Sequence, residues 1–160
     1  DLRAIEKTFN LLQQVSGRAG RSQRAGKVMI QTYYPNQKVI QALKNRDRIS
    51  FINQALKERE QFNMPPFGYM TSIIISGASS LLIKNYALKL TQYPKTEKSI
   101  DLLGPVEAPI FLLRGKYRYR ILLKGKSRKK LNNFTLQMLN FTPKPPSIKV
   151  TIDVDPYTFI

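Results

Sequence analysis

One hundred and sixty residues amount to one ordinary domain, or to one small domain with a piece of another. Against 10 Asp+Glu stand 27 Lys+Arg, a formal charge of +17 that asks for a polyanionic partner and puts nucleic acid first. The absence of Cys and His excludes disulfides, thiol nucleophiles, imidazole bases and the usual zinc sites, so any catalysis falls to arginine and carboxylates. The apolar runs are strand-sized, which predicts a soluble, cytoplasmic protein with no membrane partner. No Walker A sequence occurs, so the chain by itself is predicted not to hydrolyse nucleotide.

The chain opens at Asp1 inside what reads as ordered sequence, predicting a truncated piece of something longer. Ile5, Phe9, Leu12 and Ser16 recur at helical spacing, and Val28 to Tyr33 reads as a short buried strand ending at Pro35. So short a stretch removes too little apolar surface from water to offset chain entropy, and is expected to be partly disordered or packed on a neighbour. Two helices follow, near Asn36 to Asn45 and from Ser50, as N-cap, to Phe62. In the second, Phe51, Ala55, Leu56 and Phe62 form the apolar stripe and Lys57, Glu58, Arg59 and Glu60 the solvated face. Met64-Pro65-Pro66-Phe67-Gly68 stops it, with Gly68 expected to take an unusual backbone angle at the entrance to a new domain.

From Tyr69 onward the pattern is clearer. Met70 to Ser76 predicts a strand, and Ser79 to Thr91 a helix with Ile83, Tyr86, Ala87 and Leu90 inward. A hairpin comes next. One arm sets Val106, Ala108, Ile110 and Leu112 on one face, the tip is Arg114-Gly115-Lys116, and the other arm sets Tyr117, Tyr119, Ile121 and Leu123 together. A helix from Ser127 to Asn140 turns Leu131, Phe134 and Met138 inward, and a last strand aligns Ile148, Val150, Ile152 and Val154. The order β-α-β-β-α-β predicts an α+β, ferredoxin-like sheet with both helices on one face and the other face free.

The strongest chemical signal is a cluster without acids: Arg114, Lys116, Arg118, Arg120, Lys124, Lys126, Arg128, Lys129 and Lys130. On a strand Arg118, Arg120 and Lys124 share the face opposite Tyr117 and Tyr119, with neighbours roughly 6.6 Å apart, a row able to follow a phosphate chain. The tyrosines could stack on bases if their face were open, although such residues are more often core. A solvated charge run is the plainer alternative.

A second signal is Gln14-Val15-Ser16-Gly17-Arg18-Ala19-Gly20-Arg21. Arg18 and Arg21 lie three apart on one side of a helical turn, where two planar, permanently charged guanidiniums can grip a phosphate; a basic loop that only touches phosphate is the alternative. Asp153 and Asp155 face one way on the last strand, but two carboxylates hold magnesium poorly and are better read as partners for Lys or Arg, so no metal site is expected.

These motifs carry a resemblance. The Gly/Arg element resembles motif VI of superfamily 2 helicases. Asp1 to Lys7, Gly26 to Tyr33, Pro65-Pro66-Phe67, Leu103 to Ile110, Leu113 to Tyr119 and Ile152 to Pro156, in that order, resemble the primosomal protein N′ family of bacterial replication-restart helicases. The resemblance implies that residues 1–45 end the second RecA-like helicase lobe, that 46–66 form a helical connector, and that 67–160 form a DNA-binding domain like a small-subunit ribosomal protein. It implies catalytic roles at ATP for Arg18 and Arg21, nucleotide contacts from Gln14 and Gly17 as well, and DNA contacts from the basic hairpin. It also implies a parent protein that is an ATP- and magnesium-dependent 3′-to-5′ helicase, bearing zinc elsewhere and nucleoid-associated. Its implied partners are forks, D-loops, single strands, the tail of single-stranded-DNA-binding protein and primosome proteins, and the piece alone is expected to be inactive. A stand-alone ribosomal-type module and a docking domain for acidic tails are the competing expectations.

Overall fold

The computed structural model describes residues 4–19, 27–94 and 97–156. The chain divides into two units, Asp1–Glu58 and Arg59–Ile160. Among the described residues there are five helices and one four-stranded antiparallel sheet, an α+β architecture.

The first unit is helical, with α1 (Ala4–Ser16), α2 (Lys38–Asn45) and most of α3 (Arg48–Gln61). Its core is Phe9, Val39 and Phe51, with the two phenylalanine rings stacked at 4.7 Å. Thus residues of the opening stretch do find a core, but Ile5, Leu11 and Val15 of the same helix stay exposed. The strand expected over Val28 to Tyr33 is not formed. These residues are in irregular backbone, with Met29 and Tyr33 almost fully exposed, because a strand needs a neighbour to take its N–H and C=O groups and this unit supplies none among its described residues. Arg46, in the left-handed region at φ 54°, closes α2. Asp47, not Ser50, caps α3: its Oδ1 accepts from the Ser50 N–H at 3.1 Å, because Ser50 already lies in the first turn, where that amide has no carbonyl four residues back within the helix. The expected stripe is buried at Phe51 and open at Phe62.

Past α3 the chain reverses through Met64 to Gly68. Gly68 is required here, but not for an unusual φ, since only Gly104 and Gly115 among the described glycines have a positive one. A Cβ on Gly68 would lie 2.3 Å from the Asn63 carbonyl oxygen, so close approach is what excludes a side chain.

The second unit carries β1 (Tyr69–Gly77), α4 (Ser80–Thr91), β2 (Ile100–Leu113), β3 (Lys116–Gly125), α5 (Arg128–Phe141) and β4 (Lys149–Val154). The strand order is β2-β3-β1-β4, with every neighbouring pair antiparallel. Ser79 and Ser127 cap the two helices, each accepting a backbone N–H three residues on. Ile83, Tyr86, Ala87 and Leu90 of α4, and Leu131, Phe134 and Met138 of α5, close over Ile73, Ile75, Tyr119, Ile121 and Leu123 in one core. Both helices therefore cover the same sheet face.

The first arm of the hairpin departs from simple alternation. Its register shifts between Leu103 and Val106 and again between Glu107 and Leu112, so Ile100, Leu102, Ala108 and Phe111 turn to the core side or are shielded, while Val106, Ile110 and Leu112 stay exposed. Ile148, expected in the last strand, lies just before β4 and is buried; within β4 Val150 packs on the core, but Ile152 and Val154 are open along the sheet edge.

Candidate nucleic-acid interface

Alternation along β3 sends Tyr117, Tyr119, Ile121 and Leu123 to the core and Arg118, Arg120, Leu122 and Lys124 to the opposite face, which α4 and α5 leave uncovered. Tyr119 is buried and Tyr117 half-buried; both rings contact Phe111, at 5.6 and 5.3 Å. Neither ring is free to stack on a base.

Across the helix-free face the pairing registers align residues from three strands. Ser76 of β1 pairs with Arg118 of β3 on one side and Lys149 of β4 on the other; the next row is Arg120, Ile74 and Thr151. At the hairpin end these rows form a groove of about 360 Å³ lined by Ile74, Ser76, Leu113, Arg114, Lys116, Arg118, Lys149 and Thr151, with no acid among them. Arg114 reaches it from the turn, where positive φ at both Arg114 and Gly115 gives the twist that a tight hairpin favours. Arg120, partly buried beside Arg118, has its acidity raised first by desolvation and then by that neighbouring charge. It remains a cation at any ordinary pH.

The other end of the basic cluster is neutralised locally. Lys124 lies 3.9 Å from Asp101 and donates to the Phe62 carbonyl at 3.4 Å. Arg128 donates to Asp155 at 2.5 Å and sits over the Tyr69 ring, while Lys130 pairs with Glu97 at 3.1 Å. Lys126 and Lys129 are exposed beyond the strand. Sequence order alone groups nine cations; the fold separates Arg114, Lys116 and Arg118 from those with acidic partners and adds Lys149, which is far away in sequence.

Asp155 knits the end of β4 to β1: the Met70 N–H donates to its Oδ1 at 3.0 Å, and its own N–H to the Met70 carbonyl at 2.7 Å. Together with the Arg128 pair, these bonds occupy Asp155 structurally. No group of three or more His, Cys, Asp or Glu able to hold a metal exists among the described residues, and a chain without Cys or His offers zinc no fitting donor set.

In the first unit Gln14 lies in the last turn of α1, and Gly17 and Arg18 follow the helix in an exposed turn held by the Gly17 N–H to Gln13 and the Arg18 N–H to Val15 carbonyls. Arg21 lies outside the described residues. Gly17 borders a cavity of about 440 Å³ with Phe9, Gln13, Ser16, Val28, Leu43, Arg46 and Arg48. Arg46 and Arg48, from the α2–α3 turn, add positive charge that the Gly/Arg motif did not announce. No helix among the described residues is long and apolar enough to cross a membrane.

Comparison with known proteins then gives the geometry its setting. A family model described as the primosomal protein N C-terminal domain matches residues 60–157. Replication restart protein PriA of Rickettsia prowazekii is 40% identical over 160 residues, covering 99% of this chain and 24% of that protein. The same-named proteins of Bacillus subtilis and Haemophilus influenzae are 33% and 30% identical, each covering 98% of this chain and 20% and 22% of their own lengths. The chain thus spans about a quarter of the length of the relatives it matches, or slightly less.

Proposed function

Because the chain belongs to the primosomal protein N C-terminal domain family, we propose that it is the C-terminal portion of a replication-restart DNA helicase and contributes DNA binding to it. The observation that carries this reading is the acid-free basic groove on the helix-free sheet face, within the segment that matches the family. On this reading the sheet unit is a ferredoxin-like domain of the small-subunit ribosomal type, residues 67–160. Residues 46–66 are the connector, and residues 1–45 the end of a RecA-like lobe.

The longer protein is then an ATP- and magnesium-dependent 3′-to-5′ helicase acting on forks and D-loops in the bacterial cytoplasm. Zinc belongs to parts outside this sequence, and single-stranded-DNA-binding protein and other primosome proteins are partners. In the present chain Gln14, Gly17, Arg18 and Arg21 are the residues that would meet nucleotide: the arginines are permanent cations suited to charge developing on a transferred phosphate. Without a Walker A sequence the chain alone turns over no ATP.

Two measurements test the reading. The chain should bind DNA with an affinity that falls linearly in log-log plots against salt, by about 0.7 per single-strand phosphate contact. Arg21→Ala in a full-length relative carrying the same motif should lower ATP turnover while preserving DNA affinity. Undiminished turnover removes the nucleotide role, and absence of DNA binding at low salt removes the DNA-binding one.

A further inference from the structure

Resting on the DNA-binding reading, we propose that Ser76 is the centre of a phosphate seat for single-stranded DNA, with Arg118 and Lys149 as its two jaws and Lys116 and Arg114 continuing the track toward the hairpin turn. The seat is a product of strand order. Ser76 pairs with Arg118 on one flank and with Lys149 on the other, so one hydroxyl stands between two cations in a single row across the sheet. With neighbouring strands about 4.8 Å apart, the backbones of the two jaws are separated by roughly 9.6 Å. Long cationic side chains can converge over that span on one phosphate. Ser76 supplies a short, reorientable donor below them; its Oγ at present reaches only the Lys149 carbonyl, at 3.5 Å.

Charge partition within the unit favours this end of the face. Asp101, Asp155 and Glu97 pair with Lys124, Arg128 and Lys130, whereas Arg114, Lys116, Arg118 and Lys149 have no ion pair among the described residues. The track also has a definite end. Two rows from Ser76, the row Leu122, Ser72 and Asp153 brings a carboxylate onto the same face, roughly 13 Å from Lys149 along β4. Between them Ile74 is an apolar floor for sugar and Thr151 a hydroxyl rim.

The chemistry selects one strand over two. The slot brackets a single phosphate chain between jaws on either side of one β-strand, and a flexible single strand can lower its phosphates into a concave groove where a stiff duplex cannot. No aromatic ring lines the groove, so binding here draws on phosphates and tolerates any base sequence.

The test is an anisotropy titration of the chain with a labelled oligothymidine and with a blunt duplex, each over a range of salt. Lys149→Ala and Arg118→Ala should each weaken single-strand binding about tenfold and lower the log-log salt slope by about 0.7. Ser76→Asp, which places a carboxylate between the jaws, should weaken it further, and Lys84→Ala on α4 should change nothing. Urea midpoints equal to that of the unaltered chain establish that each variant is folded, and Lys149→Gln serves if Lys149→Ala is not. An unchanged slope for folded Lys149 and Arg118 variants overturns the seat while leaving DNA binding in place. Equal binding of duplex with the same losses overturns the single-strand assignment. Failure of the unaltered chain to bind any DNA at low salt defeats the underlying reading, and the seat with it.

Discussion

The helical unit buries Phe9, Val39 and Phe51 among its described residues, whereas the sheet unit closes fourteen side chains into one cluster. Both draw on sequence of ordinary hydrophobicity, so the difference lies in connectivity. In the sheet unit every core strand has a hydrogen-bonded neighbour and both helices return over the same face. In the helical unit a stripe that includes Ile5 and Val15 meets water, and a β-type sequence, Val28 to Tyr33, is left without a ladder to join. Amphipathic pattern tells a chain which side to bury; it does not supply the surface to bury it against.

That contrast breaks most readily at the cores. Leu123→Ala, at a fully buried position, should cost about 2–5 kcal/mol in urea unfolding followed by far-UV circular dichroism. Phe9→Ala is nearly as shielded but sits in a three-residue buried cluster, and should cost no more than about 3 kcal/mol, the low end for a buried phenylalanine. Equal penalties would show that the first unit is packed as tightly as the second.

A smaller effect sharpens the picture at the sheet's seam. Asp155→Ala should cost about 1–2 kcal/mol, chiefly because the Met70 N–H loses its side-chain acceptor. The Arg128 pair adds little, as that arginine is more than half exposed. Asp155→Asn keeps the acceptor and tolerates the positive φ, so it should be milder; the same urea midpoints decide.

The smallest effect is on acid stability. The Ser99 hydroxyl first, then Lys130, hold the Glu97 carboxyl below its usual range. A carboxyl depressed by folding stabilises the folded state above its ordinary pKa, and that contribution fades as pH falls through the folded value. Glu97→Gln should therefore slightly flatten the acid limb of melting temperature against pH and leave the neutral plateau nearly unchanged. Superimposable acid limbs would dismiss Glu97 as a contributor.

What could be read from sequence followed the range of the interactions. Residues inward on α4 and α5, and the two faces of β3, obey local periods of 3.6 and 2, and Ile83, Leu131 and Ile121 are buried as those periods require. Val106, Ala108, Ile110 and Leu112 alternate equally well on paper, yet two register shifts in β2 put only Ala108 under cover. Gly104, at φ 104° with the Arg120 carbonyl 2.9 Å from where a Cβ would stand, was the available signal of the first shift. At the candidate site Arg118 and Lys116 were visible as neighbours on one strand. Lys149 and Ser76 were not, since only the central position of β1 brings them beside Arg118. Nor does sequence reveal which lysines are occupied: the partners of Lys124, Arg128 and Lys130 come from β2, from the end of β4 and from the loop before β2.

The approach of the Asn63 carbonyl to Gly68 has a practical reach beyond its own turn. Anyone transplanting the sheet domain onto another protein will be tempted to splice at the prolines, yet the atom that shapes the approach to β1 is upstream of them. A graft joined before Asn63 carries its own mould with it, whereas one joined at Met64 hands that job to whatever foreign residue happens to precede it.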